Sequence, residues 1–204
     1  MFIRSGQEGE VPVAEMWPLQ EGNTWYYQVE GSSAKDEVMV TVLKEQSKGN
    51  EQRTYRVGYD YQTHQTVETY TRTEDGLAWE RIDNPLGQYE RRPEQYLIKQ
   101  PVGEHLSWEW DGELVPIGGQ DIQYNGEAVI TQEGFYKVDL PIGKHEGVKV
   151  INRMDLNFMG QRREIRDKRV YVPEIGLVKQ EVEENGELRL KKLLTNYHLG
   201  NNRD

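Results

Sequence analysis

The chain has 204 residues, and its Lys+Arg 25 against Asp+Glu 35 give a net charge of -10. That charge repels phosphate backbones and anionic lipid, which argues against nucleic acid as a partner. A hydrophobic share of 35% and a mean hydropathy of -0.87 are too polar for a thick α/β interior and predict one domain with a thin core, while Cys 0 removes disulfides, thiolate nucleophiles and Cys-ligated metals.

Met1 to Glu15 mixes Gly, Glu, Gln and Val without a period and reads as a flexible lead-in to a single β domain over 16–199, with 200–204 as a tail. The lead-in shows no apolar export segment, and no run approaches the roughly 18 apolar residues that span a bilayer, so no transmembrane segment is expected. From Met16 onward the dominant signal is two-residue alternation, the period of a strand with one buried face. Trp25, Tyr27 and Val29 share a face, as do Val38, Val40 and Val42, then Tyr55, Val57 and Tyr59. The pattern continues through Leu77 and Trp79, Leu106, Trp108 and Trp110, Tyr136, Val138 and Leu140, and ends with Leu188, Leu190 and Leu194.

Between these runs lie turn dipeptides: Glu30-Gly31, Gly49-Asn50, Asp75-Gly76, Asp111-Gly112, Asn125-Gly126 and Asn185-Gly186. Short strands at roughly ten-residue spacing joined by such turns predict an antiparallel meander. Pro93 to Lys99 fits either a helical turn or a strand. The expected fold is all-β: a strongly curved antiparallel meander, an incomplete or closed barrel with at most one or two short helices, and a β-sandwich as the alternative.

Candidate chemistry is sparse. His64, His105, His145 and His198 show no ligand spacing, although His105 and His145 each follow a Pro-x-Gly turn and would make a metal pair if those turns met. No G-x-S-x-G supports a serine hydrolase, and Gly118-Gly119 lacks the Lys-Ser/Thr of a phosphate loop. Glu109 and Asp111 alternate with Trp108 and Trp110, but two acids on one strand face the same way rather than converging on a bond. Arg162, Arg163, Arg166, Lys168 and Arg169, interrupted by Glu164 and Asp167, read as a charged strand edge, with an anion site as the alternative. Trp25, Tyr27, Trp79, Trp108 and Trp110 remain as the only set with binding potential: they either line a pocket for a small apolar or sugar ligand or are themselves the core.

Two stretches carry a resemblance. Trp17-Pro18-Leu19 with Gly22-Asn23-Thr24-Trp25 resembles the Pro-Leu-x-x-Gly-Asn-x-Trp opening, and Tyr171 to Lys179, with Gly176-Leu177-Val178-Lys179, the Tyr-x-x-x-x-Gly-Leu-Val-Lys ending, of bacterial secreted or lipid-anchored all-β envelope proteins of unknown function. The resemblance implies an exported envelope domain, curved like the half-barrel of a lipoprotein carrier, with no catalytic residue to transfer. The expectation is therefore an extracytoplasmic domain at the cell surface or in the periplasm, its signal removed ahead of Met1, that binds a ligand or an envelope protein without catalysis and without cofactor or metal. A cytoplasmic location is the alternative. A hydrolase acting on envelope polysaccharide through carboxylates such as Glu109, and a purely structural or assembly protein, are the rival functions.

Overall fold

The computed structural model describes residues 11–31, 35–48, 52–118, 124–158 and 160–200. Alternation builds β1 (Thr24–Gly31), β2 (Lys35–Lys48), β3 (Gln52–Tyr61), β4 (Gln65–Arg72), β5 (Gly76–Asn84) and β6 (Gly87–Lys99). It continues through β7 (Leu106–Pro116), β8 (Tyr124–Leu140), β9 (Gly143–Phe158), β10 (Gln161–Val172), β11 (Gly176–Glu184) and β12 (Glu187–His198). Strands adjacent in sequence pair antiparallel, and β1 pairs with β12, which closes the sheet into a twelve-strand barrel. Closure removes both sheet edges, the hazard that an open curved sheet would leave exposed.

Inward and outward faces follow the alternation. Trp25, Tyr27, Val38, Val40, Val42, Tyr55 and Val57 are all buried inside. The outer face carries ion pairs such as Arg53–Glu45, Arg162–Asp155 and Lys168–Glu183, each at 2.7 Å. A charged exterior around an apolar interior is the reverse of the lipid-facing band of membrane barrels.

The two ends differ. At one end lie the turns β3–β4, β5–β6 and β11–β12; at the other, β2–β3, β4–β5 and β10–β11, together with the start of β1. The expected lead-in lies outside the described residues up to residue 10. Its described part packs on this second end: Val11 bridges Val102, and helix α1 (Val13–Met16), the one helix among the described residues, buries Val13 and Met16. The Glu174 amide donates to the Glu15 carbonyl at 2.7 Å. Trp17 then enters the barrel, 5.1 Å from the Tyr70 ring, 5.9 Å from Tyr171 and 6.2 Å from Trp25. Gly176 makes this possible, because a Cβ there would stand 2.5 Å from Trp17 Cδ1.

One turn stands as expected and several other expectations are corrected. Asn185-Gly186 is the type I′ turn, with φ of 52 and 80. Asp111-Gly112 and Asn125-Gly126, however, are not turns: they sit inside β7 and β8, where Gly112 pairs with Gly126. A Cβ on Gly112 would meet the Arg92 carbonyl oxygen and the Trp110 ring at 2.6 Å, and one on Gly126 would meet Leu156 at 2.8 Å and Trp110 at 3.0 Å. Both glycines admit a large indole between close backbones, the second meaning of glycine in a strand. Gly49-Asn50 falls outside the described residues, as does Gly119 of the Gly118-Gly119 pair. Pro93 to Lys99 is strand. The basic stretch 162–169 lies on β10 between β9 and β11, so it is no edge, and its Asp167 and Arg169 point inward.

One junction is incomplete. β6 and β7 pair only from Tyr89–Pro116 to Arg92–Glu113, and Pro93 has no amide to continue the ladder. Below that point side chains take over: Trp110 Nε1 donates to the Pro93 carbonyl at 2.8 Å, Trp108 Nε1 to the Tyr96 carbonyl at 3.2 Å, and Gln132 Nε2 to the Lys99 and Pro101 carbonyls, both at 3.1 Å.

Candidate functional site

Two of the five aromatic candidates belong to the filled end. Trp25 is 0% and Tyr27 1% exposed, and each closes a hydrogen bond across the interior, Trp25 Nε1 to the Ile175 carbonyl and Tyr27 Oη to the Leu177 carbonyl, both at 2.6 Å. The opening and ending motifs of the sequence are therefore in contact, one supplying the donors and the other the acceptors. Trp110 is buried and Trp108 half-buried at the β6–β7 junction. Only Trp79 of the five lines the space left at the opposite end.

That space is a cavity of ≈ 420 Å³, within the size range of small-molecule sites. Its upper wall is apolar, with Tyr61, Tyr89, Leu114, Tyr124, Leu156 and Leu190 among its residues. Its deeper residues are polar and charged: Glu68 on β4, Arg91 on β6, Asn152 on β9, Asp167 and Arg169 on β10, Gln180 on β11 and Lys192 on β12. Each sits at an inward position two residues from an apolar one, as in Val150-x-Asn152-x-Met154 and Leu190-x-Lys192-x-Leu194. That placement, a polar side chain on the buried parity of a strand, is the signal that finds these residues in a sequence.

Most of the deep layer is satisfied internally. Arg169 and Asp167 pair at 2.8 Å, and Gln180 Nε2 donates to Asp167 Oδ1 at 3.0 Å. Burial disfavours the Arg169 charge, but Asp167, Tyr171, Tyr70 and Glu68 together outweigh it and hold the guanidinium well above its usual range. The Tyr59 and Tyr70 hydroxyls lie 2.9 Å apart, Tyr70 Oη also donates to Glu68, and burial pushes both phenols well above their ordinary value. Lys192 Nζ sits 4.6 Å from the centre of the Tyr59 ring.

Arg91 is different. Its guanidinium lies 3.4 Å over the Trp79 ring, its Nε reaches Gln95 Oε1 at 3.4 Å, and its buried Nη1 has no partner. Among the described residues no carboxylate stands within ion-pair distance, and burial lowers its pKa to about 9, which leaves it charged at neutral pH. Asn152 Oδ1 is likewise buried and unpartnered. Trp79 is already engaged, by Arg91, by Arg169 at 5.3 Å and by the Tyr70 ring at 6.5 Å, so it orients a cation rather than offering a bare face for a sugar.

The remaining candidates lie elsewhere. Glu109 and Asp111 are exposed on the outer face. His64 stacks on Tyr61 at 4.6 Å beside the cavity, His105 precedes β7, and His145 of β9 pairs with Val138 of β8. Among the described residues no helix is long and apolar enough to cross a membrane.

No protein-family model and no curated protein matches the sequence. Among solved structures, a protein of Parabacteroides distasonis provisionally described as a lipoprotein superposes on 94% of this chain and 100% of its own, with a TM-score of 0.58 and 11% identity. One of Bacteroides fragilis, provisionally described as an exported protein with a YmcC-like fold, covers 90% of this chain and 98% of its own, with a TM-score of 0.49 and 12% identity. The first likeness shows a shared fold.

Proposed function

We propose that the protein is a non-catalytic binding protein of the bacterial envelope, acting outside the cytoplasm, whose ligand enters the open end of the barrel. The observation that carries this reading is the cavity itself: apolar walls above a polar layer that includes an unpaired buried cation, in a barrel whose other end is filled with aromatics. Unpartnered buried polar atoms also occur at the filled end, at Trp17, Tyr55 and Tyr171, but a buried charge without a counter-charge is the costlier case and is particular to the cavity. The opening and ending motifs and the shared fold support the location. A chain tethered on its N-terminal side would be held by the filled end, where Val11 leaves the barrel, with the cavity directed away.

The reading is tested with a neutral probe, N-phenylnaphthylamine, whose emission rises in apolar surroundings. Saturable uptake by the native protein is expected, with loss of uptake in a folded Met154→Trp variant that fills the cavity. No uptake, or equal uptake by both proteins, would overturn it.

A further inference from the structure

We infer that the ligand is a monoanionic amphiphile, a carboxylate on an apolar tail, with its carboxylate against Arg91 and its tail along the apolar wall toward the opening. This rests on the binding reading above and adds the chemical class of the ligand. The cavity is lined by Arg91, Arg169 and Lys192 on one side of the charge balance and by Glu68 and Asp167 on the other, leaving one positive charge. Asp167 is neutralised by Arg169, Glu68 accepts from Tyr70, and Lys192 rests on Tyr59. Arg91 and Lys192 then remain without a carboxylate at ion-pair distance among the described residues, and of the two it is Arg91, stacked on Trp79, that carries a buried N–H, on Nη1, with no acceptor.

A buried guanidinium without a carboxylate is costly in this surrounding, and a charge-assisted pair with an anion relieves that cost. The carboxylates of Glu68 and Asp167 close by disfavour a dianion such as a phosphate monoester, which would bring a second negative charge to them. A cationic head would add to the positive charge already present. Asn152 Oδ1, also in the cavity wall, leaves an acceptor free for a water or a hydroxyl. Tyr61, Tyr89, Tyr124 and Leu156, nearer the opening, suit a hydrocarbon and offer no second ionic site. His64, at the rim, stacks on Tyr61 and hydrogen-bonds Thr63 at 3.0 Å.

The decisive experiment is calorimetric titration of the full chain with octanoate, octanol and octylammonium, which share one tail and differ in the head. Octanoate is expected to bind the native protein about tenfold or more tightly than octanol, with octylammonium weakest. In Arg91→Met the octanoate advantage should vanish while octanol affinity stays within about twofold. Equal affinities for the three heads, or an octanoate advantage that survives in Arg91→Met, would overturn the anionic class while leaving the cavity reading intact so long as N-phenylnaphthylamine still binds. Failure of all three together with the neutral probe would overturn both. If Arg91→Met does not fold, the ranking of heads on the native protein decides alone.

Discussion

The same twelve strands build a filled half and a hollow half, and the difference lies in which side chains occupy the inward positions. At the filled end Trp17, Trp25, Tyr27, Tyr55, Tyr70 and Tyr171 are all fully buried, and three of their rings meet Trp17 within 6.2 Å. Two residues further along several strands the inward side chains become Arg91, Asn152, Asp167, Arg169, Gln180 and Lys192, and beyond them lies the cavity. Because each step of two residues adds an independent layer, a barrel can combine a rigid core and a polar chamber without changing its hydrogen-bonded wall. Burial alone does not separate the halves: Arg91 is 5% exposed, as little as Trp110.

The comparison is broken most strongly by pH. Burial raises Tyr55 from 10.0 to about 12 and raises Tyr27, Tyr59, Tyr70 and Tyr171 as well. A group whose folded pKa lies above its unfolded one gives stability that is complete below the unfolded value and is lost as pH climbs through the folded one. Stability should therefore hold up to about pH 10 and fall steeply between there and about pH 12, with tyrosinate absorbance appearing together with loss of the β spectrum. Separate transitions would show that the phenols titrate without unfolding. Next in size, Trp17→Ala should lower the unfolding free energy by about 3–5 kcal/mol in denaturant titration, since it empties the centre of the filled half. Trp110→Phe keeps an aromatic ring but removes the indole N–H that bonds the Pro93 carbonyl and some of the packing against Gly112 and Gly126, and should lose about 1–3 kcal/mol, read in the same way.

In the hollow half the expectation reverses. Arg91→Met should stay within about 1 kcal/mol of the native protein, because the gain from removing an unpaired buried charge offsets the lost contact with Trp79. A loss as large as that of Trp17→Ala would mean that the chamber is core by another name. Smallest of all, Glu109→Gln on the outer face should leave stability within about 0.5 kcal/mol. Turnover of a glycan panel that disappears in this variant would revive the hydrolase function.

Fold class was legible because alternation is long and regular: Trp25-x-Tyr27-x-Val29 and Val38-x-Val40-x-Val42 leave little choice of face. Closure was not, since nothing in β1 or β12 alone announces the other as its partner across the whole chain. The paired glycines of β7 and β8 read as turns because a dipeptide cannot say whether glycine is there for positive φ or for closeness to a neighbour. Among the candidate site residues, Trp79 is found through its size, whereas Arg91, Asn152 and Lys192 belong to no motif that would single them out. Their inward parity is visible, but Lys and Arg are ordinarily exposed, and only the closed ring shows that this face lines an interior chamber.

The interrupted β6–β7 junction gives the barrel a mechanical asymmetry. In the ring, six strands separate it on either side from β1–β12, whose pairing runs from Thr24–His198 to Gly31–Leu190. A wall stitched along one line and held by indole and amide side chains along the line opposite behaves as two six-strand shells, with a hinge at β1–β12 and a clasp at β6–β7. Amide exchange should accordingly be fastest along residues 94–99 and slowest beside β1, and thermal breathing of the wall becomes a motion in one direction that widens the barrel on the side of Trp108 and Trp110.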